Sequence, residues 1–167
     1  MLTLFLCRHA KSSWAESGLS DMERPLNGRG KIDAPLMGKV LKSKDEMADL
    51  IITSPAKRAS KTAKLIADEI DYSRNRIITD QRLYMADTVD FLEVIEEYSG
   101  KFKSIMLFSH NYGITDFANY IGDSAIDNIP TCGIVKIIFK FSNLKKIKKE
   151  KGKTEYFIYP KMYKNGI

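Results

Sequence analysis

The chain has only two histidines in 167 residues, and each directly follows an apolar run. "LFLCRH" ends in Arg8 and His9, and "SIMLFSH" ends in His110. A third segment, "TSPAKRASKTA" (53–63), places Arg58 at what reads as the start of a helix. Singly, each has an ordinary explanation: a histidine satisfied by hydrogen bonds, or a surface arginine. Jointly, two histidines and two arginines at the carboxyl ends of strands point to one site, because open parallel sheets bind ligands there. Metal binding fits poorly, since zinc wants three or four protein ligands and the arginines repel a cation. Phosphate chemistry fits better. Arginine forks neutralise a dianion, and nearby cations favour a neutral imidazole. That imidazole can attack phosphorus, and a covalent phosphohistidine splits one hard step into two easier ones.

Such a site needs a rigid mount. Strands are predicted at 2–7, 48–54, 76–80 and 103–109, and two more at 133–141 and 154–160. Continuous apolar runs such as "IMLF" suit strands covered on both faces. Between them, Ile32, Leu36, Met37, Val40 and Leu41 share one helical face, as do Ala59, Ala63, Ile66 and Ile70. Ile114, Phe117, Ala118 and Ile121 form another such face, and "TVDFLEVIEEY" (88–98) is a further helix. Pro35 either kinks the first helix or marks a start near Asp33. Ser54 suits an N-cap and Pro55 the first helical position, with Arg58 in the first turn or just after it. The pattern predicts an α/β layered fold with a mostly parallel sheet, its last two strands pairing antiparallel at one edge. Residues 10–27 form one long loop, and loops of that length are usually functional.

The length argues for a single domain over 1–167 with a real core. No stretch approaches a membrane span, and no basic region precedes the apolar start as in a signal peptide, so the expected location is cytoplasmic. Cys7 and Cys132 lack metal-type spacing and read as buried, reduced thiols. The tyrosine phosphatase pattern of Cys with Arg six positions on fails, because that position is Ser13. Of the net charge of +6, "KKIKKEKGK" (145–153) contributes six lysines against one glutamate. Without aromatic residues it reads as a solvated hairpin tip, and no nucleic acid or membrane partner is expected.

At this point a family resemblance is legible. "CRHAKSSW" resembles the RHG signature of the histidine phosphatase superfamily, "SPAKRASKTA" its second motif, and "SHN" its "GHN"-type motif. "RHAKSSW", "DMERPLNGRG" (21–30) and "DAPLMG" (33–38) together resemble its bacterial phosphohistidine phosphatase branch, the SixA-type proteins. The similarity runs to about residue 140. It implies the three-layer phosphoglycerate mutase-like fold, with His9 as the phosphate-accepting nucleophile. Arg8 and Arg58 would hold phosphate oxygens, His110 would act as a second imidazole on the transferring group, and Asn27 would lie near the phosphate. It implies no cofactor and no metal.

The chain departs from the superfamily pattern in two places. Ala10 stands where the signature has Gly, as it often does in this branch. The general acid is the more informative departure. A mutase-type glutamate is expected after "RLY" (82–84), where the chain reads "MADTVD", and Asn111 replaces the aspartate of an "HD" motif. Asp21 and Asp87 remain as substitutes. A missing acid suits a phosphohistidine substrate, whose leaving imidazole can carry its own proton, whereas an alkoxide needs help. The expected partner is therefore a phosphorylated protein, such as a phosphorelay domain, with a small phosphate ester as the alternative. A binding-only regulator is a further one. Lys11 and Ser12 could touch phosphate or lie in solvent. Arg24 and Arg29 could form a rim for an acidic partner or brace the loop.

Overall fold

The computed structural model describes residues 1–141, 147 and 150–167. Six strands form one sheet: β1 (Leu2–Arg8), β2 (Leu50–Thr53), β3 (Ile78–Thr79), β4 (Ser104–Ser109), β5 (Ile134–Phe139) and β6 (Lys153–Ile158). Their order is β3-β2-β4-β1-β5-β6. Strands β3, β2, β4 and β1 run parallel, and β5 pairs antiparallel with both β1 and β6. The antiparallel edge pair expected from the sequence is therefore present. Four of the six lysines in the segment expected at its tip (145, 146, 148 and 149) lie outside the described residues.

Four helices cover the sheet: α1 (Gly28–Ser43), α2 (Lys57–Glu69), α3 (Thr88–Tyr98) and α4 (Gly113–Ile121). The alternation of β1 assigns them to two layers, because successive side chains leave a strand on opposite faces. Leu2, Leu4 and Leu6 pack with Phe91 and Val94 of α3 and Phe117 and Ile121 of α4. Phe5 and Cys7 pack with Met37 and Leu41 of α1 and Ala63 and Ile66 of α2. The result is the three-layer α/β/α arrangement of the phosphoglycerate mutase-like fold. Burying each such large apolar side chain is worth roughly 1.5–3 kcal/mol, so β1 is anchored from both sides. The free thiols of Cys7 and Cys132 are both buried.

One open alternative is resolved and two local expectations are corrected. Helix α1 begins at Gly28, capped by Asn27, and runs through Pro35 rather than starting near Asp33. Ile32, expected on its inner face, is 70% exposed. The buried stripe instead runs through Gly30, Ala34, Met37 and Leu41. Its origin is close contact: a Cβ at Gly30 would collide with the Lys11 carbonyl. The first turn of α1 is thereby seated on the loop that leaves β1. The N-cap of α2 is Ala56 rather than Ser54, so Arg58 is the second helical residue. Ser54 is used elsewhere, as described below.

Candidate active site

The sheet register brings three strand ends together. Arg8 is aligned with Ser109 across β1 and β4, and Thr53 with Phe108 across β2 and β4. Beyond the regular pairing, His9 N–H donates to the Ser109 carbonyl at 3.1 Å, and Ser54 N–H to the Phe108 carbonyl at 2.9 Å. His9, His110 and Ser54 therefore leave adjacent strands at one level. The imidazoles of His9 and His110 lie 5.2 Å apart between centroids.

His9 is held in one tautomer. Its Nδ1 is 2.7 Å from the Ala10 carbonyl, which can only accept, so Nδ1 carries the proton. Nε2 is left with its lone pair and receives Arg58 Nε–H at 3.4 Å. The loop after His9 is fixed to α2 through Thr62, whose hydroxyl accepts from Ala10 N–H at 2.9 Å. The same hydroxyl donates to the Arg58 carbonyl at 2.7 Å. Thr62 thus ties His9 and Arg58 into one rigid unit. It was not singled out in the sequence, although its position one turn after Arg58 is a usable signal.

Arg58 is the hub of the site and is 4% exposed. Nη2 donates to His110 Nδ1 at 3.2 Å and to Asp21 Oδ2 at 2.9 Å, and Nη1 donates to the Asp21 carbonyl at 2.6 Å. A guanidinium has donors only, so His110 Nδ1 accepts and its Nε2–H donates to Ser54 Oγ at 2.7 Å. This is the work of Ser54 that its N-cap reading concealed. Asp21 also accepts from Tyr84 Oη at 2.6 Å and Arg24 Nη1 at 2.9 Å. Arg24 in turn donates to Ser12 Oγ and the Ser13 carbonyl and lies over the Trp14 ring. It braces the long loop from within, whereas Arg29 pairs with Asp33 at 3.6 Å.

Burial, reinforced by neighbouring cations, sets the charge states. Burial lowers His9 from 6.5 to about 4, aided by Arg58, Arg8 and Arg24 and opposed by the Ala10 hydrogen bond. Burial, then His9 and Arg58, lowers His110 to about 3. Both imidazoles are neutral near pH 7, the form a nucleophile requires. The folded values lie below the unfolded one, so between them the unfolded chain binds more protons and stability decreases as pH is lowered. The protein is expected to lose stability progressively as pH drops from 6.5 towards 4. Denaturant titrations across that range check this. NMR should show neither imidazole titrating above pH 5, and a midpoint near 6.5 for His9 would contradict the geometry.

Arg8, His9, Arg58 and His110 meet in one cavity of about 360 Å³, together with Lys11, Ser12, Arg24, Asp21 and Met85. Arg8 is held by a 2.9 Å bond from Nη1 to the Ile129 carbonyl. Its Nε is buried without a partner among the described residues. A phosphate oxygen would relieve that cost. Asn27 does not line the cavity. Its side-chain oxygen accepts from Gly30 N–H at 2.9 Å, which makes it a helix cap. After Tyr84, where the superfamily pattern places an acid, Met85 enters the cavity wall. Asp87 turns away to cap α3, accepting from Val89 and Asp90 N–H at 2.8 and 3.0 Å. Among the described residues, Asp21 is the single carboxylate lining the cavity. Tyr84, Arg58 and Arg24 hold it far below the usual carboxylate range, against a partial desolvation that acts the other way. It is ionised across the working range of the protein.

A six-stranded α/β/α sandwich carries paired histidines and arginines at adjoining strand ends, a set whose chemistry suits a phosphate group. The chain belongs to the histidine phosphatase superfamily (branch 1), whose profile matches residues 4–91. An uncharacterized chloroplast protein of Arabidopsis thaliana is 29% identical over 137 residues, 77% of this chain and 62% of that protein. A 2,3-bisphosphoglycerate-dependent phosphoglycerate mutase of Bifidobacterium longum is 27% identical over 116 residues, covering 65% of this chain and 46% of the mutase. The chain thus spans less than two thirds of the length of either relative. The solved structure of the protein histidine phosphatase SixA complexed with tungstate has the same fold. Its TM-score is 0.82 at 17% identity, over 96% of this chain and 99% of that one. No helix among the described residues is long and apolar enough to cross a membrane.

Proposed function

We propose that this chain is a phosphatase that hydrolyses the P–N bond of phosphohistidine on a protein, through a covalent intermediate on His9. The observation that carries the reading is the fixed tautomer of His9. Its protonated Nδ1 is anchored 2.7 Å from the Ala10 carbonyl, which leaves Nε2 unprotonated beside Arg58 in the wall of the arginine-lined cavity. Arg8 and Arg58 bind the phosphoryl oxygens. The Nε2 lone pair forms the new P–N bond while the substrate P–N bond breaks, its electron pair going to the leaving nitrogen. The leaving imidazole carries a proton on its other nitrogen and departs neutral, so no acid is needed. Water then attacks phospho-His9 and passes its proton to the released phosphate. His9 again leaves as a neutral imidazole, because Nδ1 has kept its proton. As the dianion draws the Arg58 guanidinium onto its oxygens, the His110 Nδ1 lone pair that Arg58 had held is released, and Nδ1 can take a proton from solvent and donate to the transferring group.

Two features support the P–N substrate over an alkyl ester. Met85 occupies the wall where the superfamily pattern places an acid, and Asp21 is held ionised. The resemblance to SixA, named as a protein histidine phosphatase, supports a protein substrate. The buried free thiols fit a cytoplasmic setting. The test compares turnover of phosphoramidate with that of a simple alkyl phosphate. Turnover of the P–N compound with little on the alkyl ester supports the reading. Comparable efficiencies would show that a general acid acts after all.

Asp21 then serves as a positioning residue for Arg58. Removing its charge weakens partly exposed charged hydrogen bonds from Arg58 and Arg24, and the Arg58 bond, the one that reaches the catalytic centre, is worth about 0.5–2 kcal/mol after solvent screening. Asp21→Asn is expected to lower kcat/KM by about 3- to 30-fold. The same factor should apply to phosphoramidate and to p-nitrophenyl phosphate, whose leaving group needs no proton. Loss confined to alkyl esters would identify Asp21 as an acid instead.

A further inference from the structure

The outer face of α2 continues the active-site wall. Arg58, Thr62 and Ala63 point inwards, while Lys57, Lys61 and Lys64 stand exposed at helical spacings of four and three. None of the three forms an ion pair within the described residues, since the nearby Asp68 is taken by Arg74. With Met22 and Pro55 they line a groove of about 420 Å³. Both walls of that groove adjoin the catalytic cavity in sequence: Met22 follows Asp21, and Lys57 precedes Arg58. Glu23 also lies there, but its carboxylate is engaged by Ser20. The cavity mouth is edged by large exposed apolar side chains, Trp14 at 75% and Met85 at 65%. Aromatic residues and methionine are enriched in protein interfaces, and flanking charge chooses the partner and speeds encounter.

We propose that the α2 lysine face and the Trp14–Met85 rim form a docking surface for an acidic protein that presents its phosphohistidine to His9. The inference rests on the phosphohistidine reading above and names the class of substrate that reading takes. An unpaired row of three cations beside the mouth complements a surface rich in carboxylates, and the apolar rim supplies contact around the phosphoryl group. The large protein is selected outside the cavity, which needs to recognise only the phosphoryl imidazole.

The test compares wild type with Lys61→Glu/Lys64→Glu, a pair that does not line the catalytic cavity. Three substrates are used at low and high salt: phosphoramidate, an acidic histidine-phosphorylated protein, and histidine-phosphorylated histone, which is basic. Phosphoramidate turnover should be unchanged within about twofold. On the acidic protein kcat/KM should fall by about ten- to a hundredfold, mostly through KM, with the gap closing as salt rises. The histone should become a better substrate for the variant than for wild type. Unchanged efficiency on the acidic protein would overturn the docking surface and leave the phosphohistidine reading standing. An equal loss on phosphoramidate would also overturn it, because the lysines would then act on the site itself. Turnover of phosphoramidate but of neither phosphoprotein by wild type would instead remove the protein-substrate reading, and the surface with it. The unphosphorylated acidic protein should compete with the phosphoprotein better than a DNA duplex does. The reverse order would make the lysine face a nucleic-acid surface and overturn the inference.

Discussion

His9→Ala is expected to abolish turnover of phosphoramidate, leaving less than about a thousandth of the wild-type kcat. The size follows from the role. His9 forms and breaks the bonds to phosphorus, so its removal deletes the covalent route rather than weakening it. Arg8, Arg58 and His110 would still bind phosphate, because of their anchors only the 3.4 Å bond from Arg58 to His9 Nε2 is lost. Arg8 rests on the Ile129 carbonyl and Arg58 on Asp21. The variant should therefore bind inorganic phosphate or tungstate with affinity near that of wild type. Calorimetric titration with tungstate, run beside the activity assay, separates lost chemistry from lost structure. His9→Ala with near-normal activity would remove His9 from the mechanism.

Arg58→Ala is expected to lower kcat/KM by about ten- to several-hundred-fold, since a hydrogen bond to a charged group is worth roughly 1.5–3 kcal/mol. The upper half of that range is favoured by its position. The guanidinium is buried and touches His9, His110 and Asp21 at once. Its removal takes a donor from the phosphoryl group and leaves Asp21, a negative charge at the cavity wall, less compensated. Arg58→Lys keeps the charge but loses the planar fork, so it should recover only part of the loss. Steady-state kinetics of the three proteins on phosphoramidate checks this. Full recovery by lysine would reduce Arg58 to a simple countercharge.

The sequence showed the parts of this protein that local patterns encode. The apolar run of β1, the period of α3 and the buried face of α4 follow from side-chain spacing alone. Two histidines and two arginines at strand ends are enough to suggest phosphate. The connections between them were hidden because they are contacts across long sequence separations. Tyr84 reaches Asp21 and Ser54 reaches His110 only once the sheet has brought those segments side by side. Ser54 shows how a local rule misleads. A serine before a proline at a helix start fits the N-cap grammar, but here the helix begins two residues later and the hydroxyl serves an imidazole. Asn27 is the converse case, a residue that the family resemblance set near the phosphate and the fold uses as a cap. Ile32 failed because close packing of Gly30 on Lys11, which no hydropathy pattern reveals, sets the rotation of α1.

The most direct measurement is a trap of the enzyme-bound phosphate. The protein would be mixed with phosphoramidate, quenched in alkali within a turnover, digested and mapped by mass spectrometry. The account predicts phosphate on the peptide that holds His9, stable to alkali and labile to acid. It should decay when substrate is removed and be absent from His9→Ala. Product release without any enzyme-bound phosphate, or phosphate on a different residue, would contradict it.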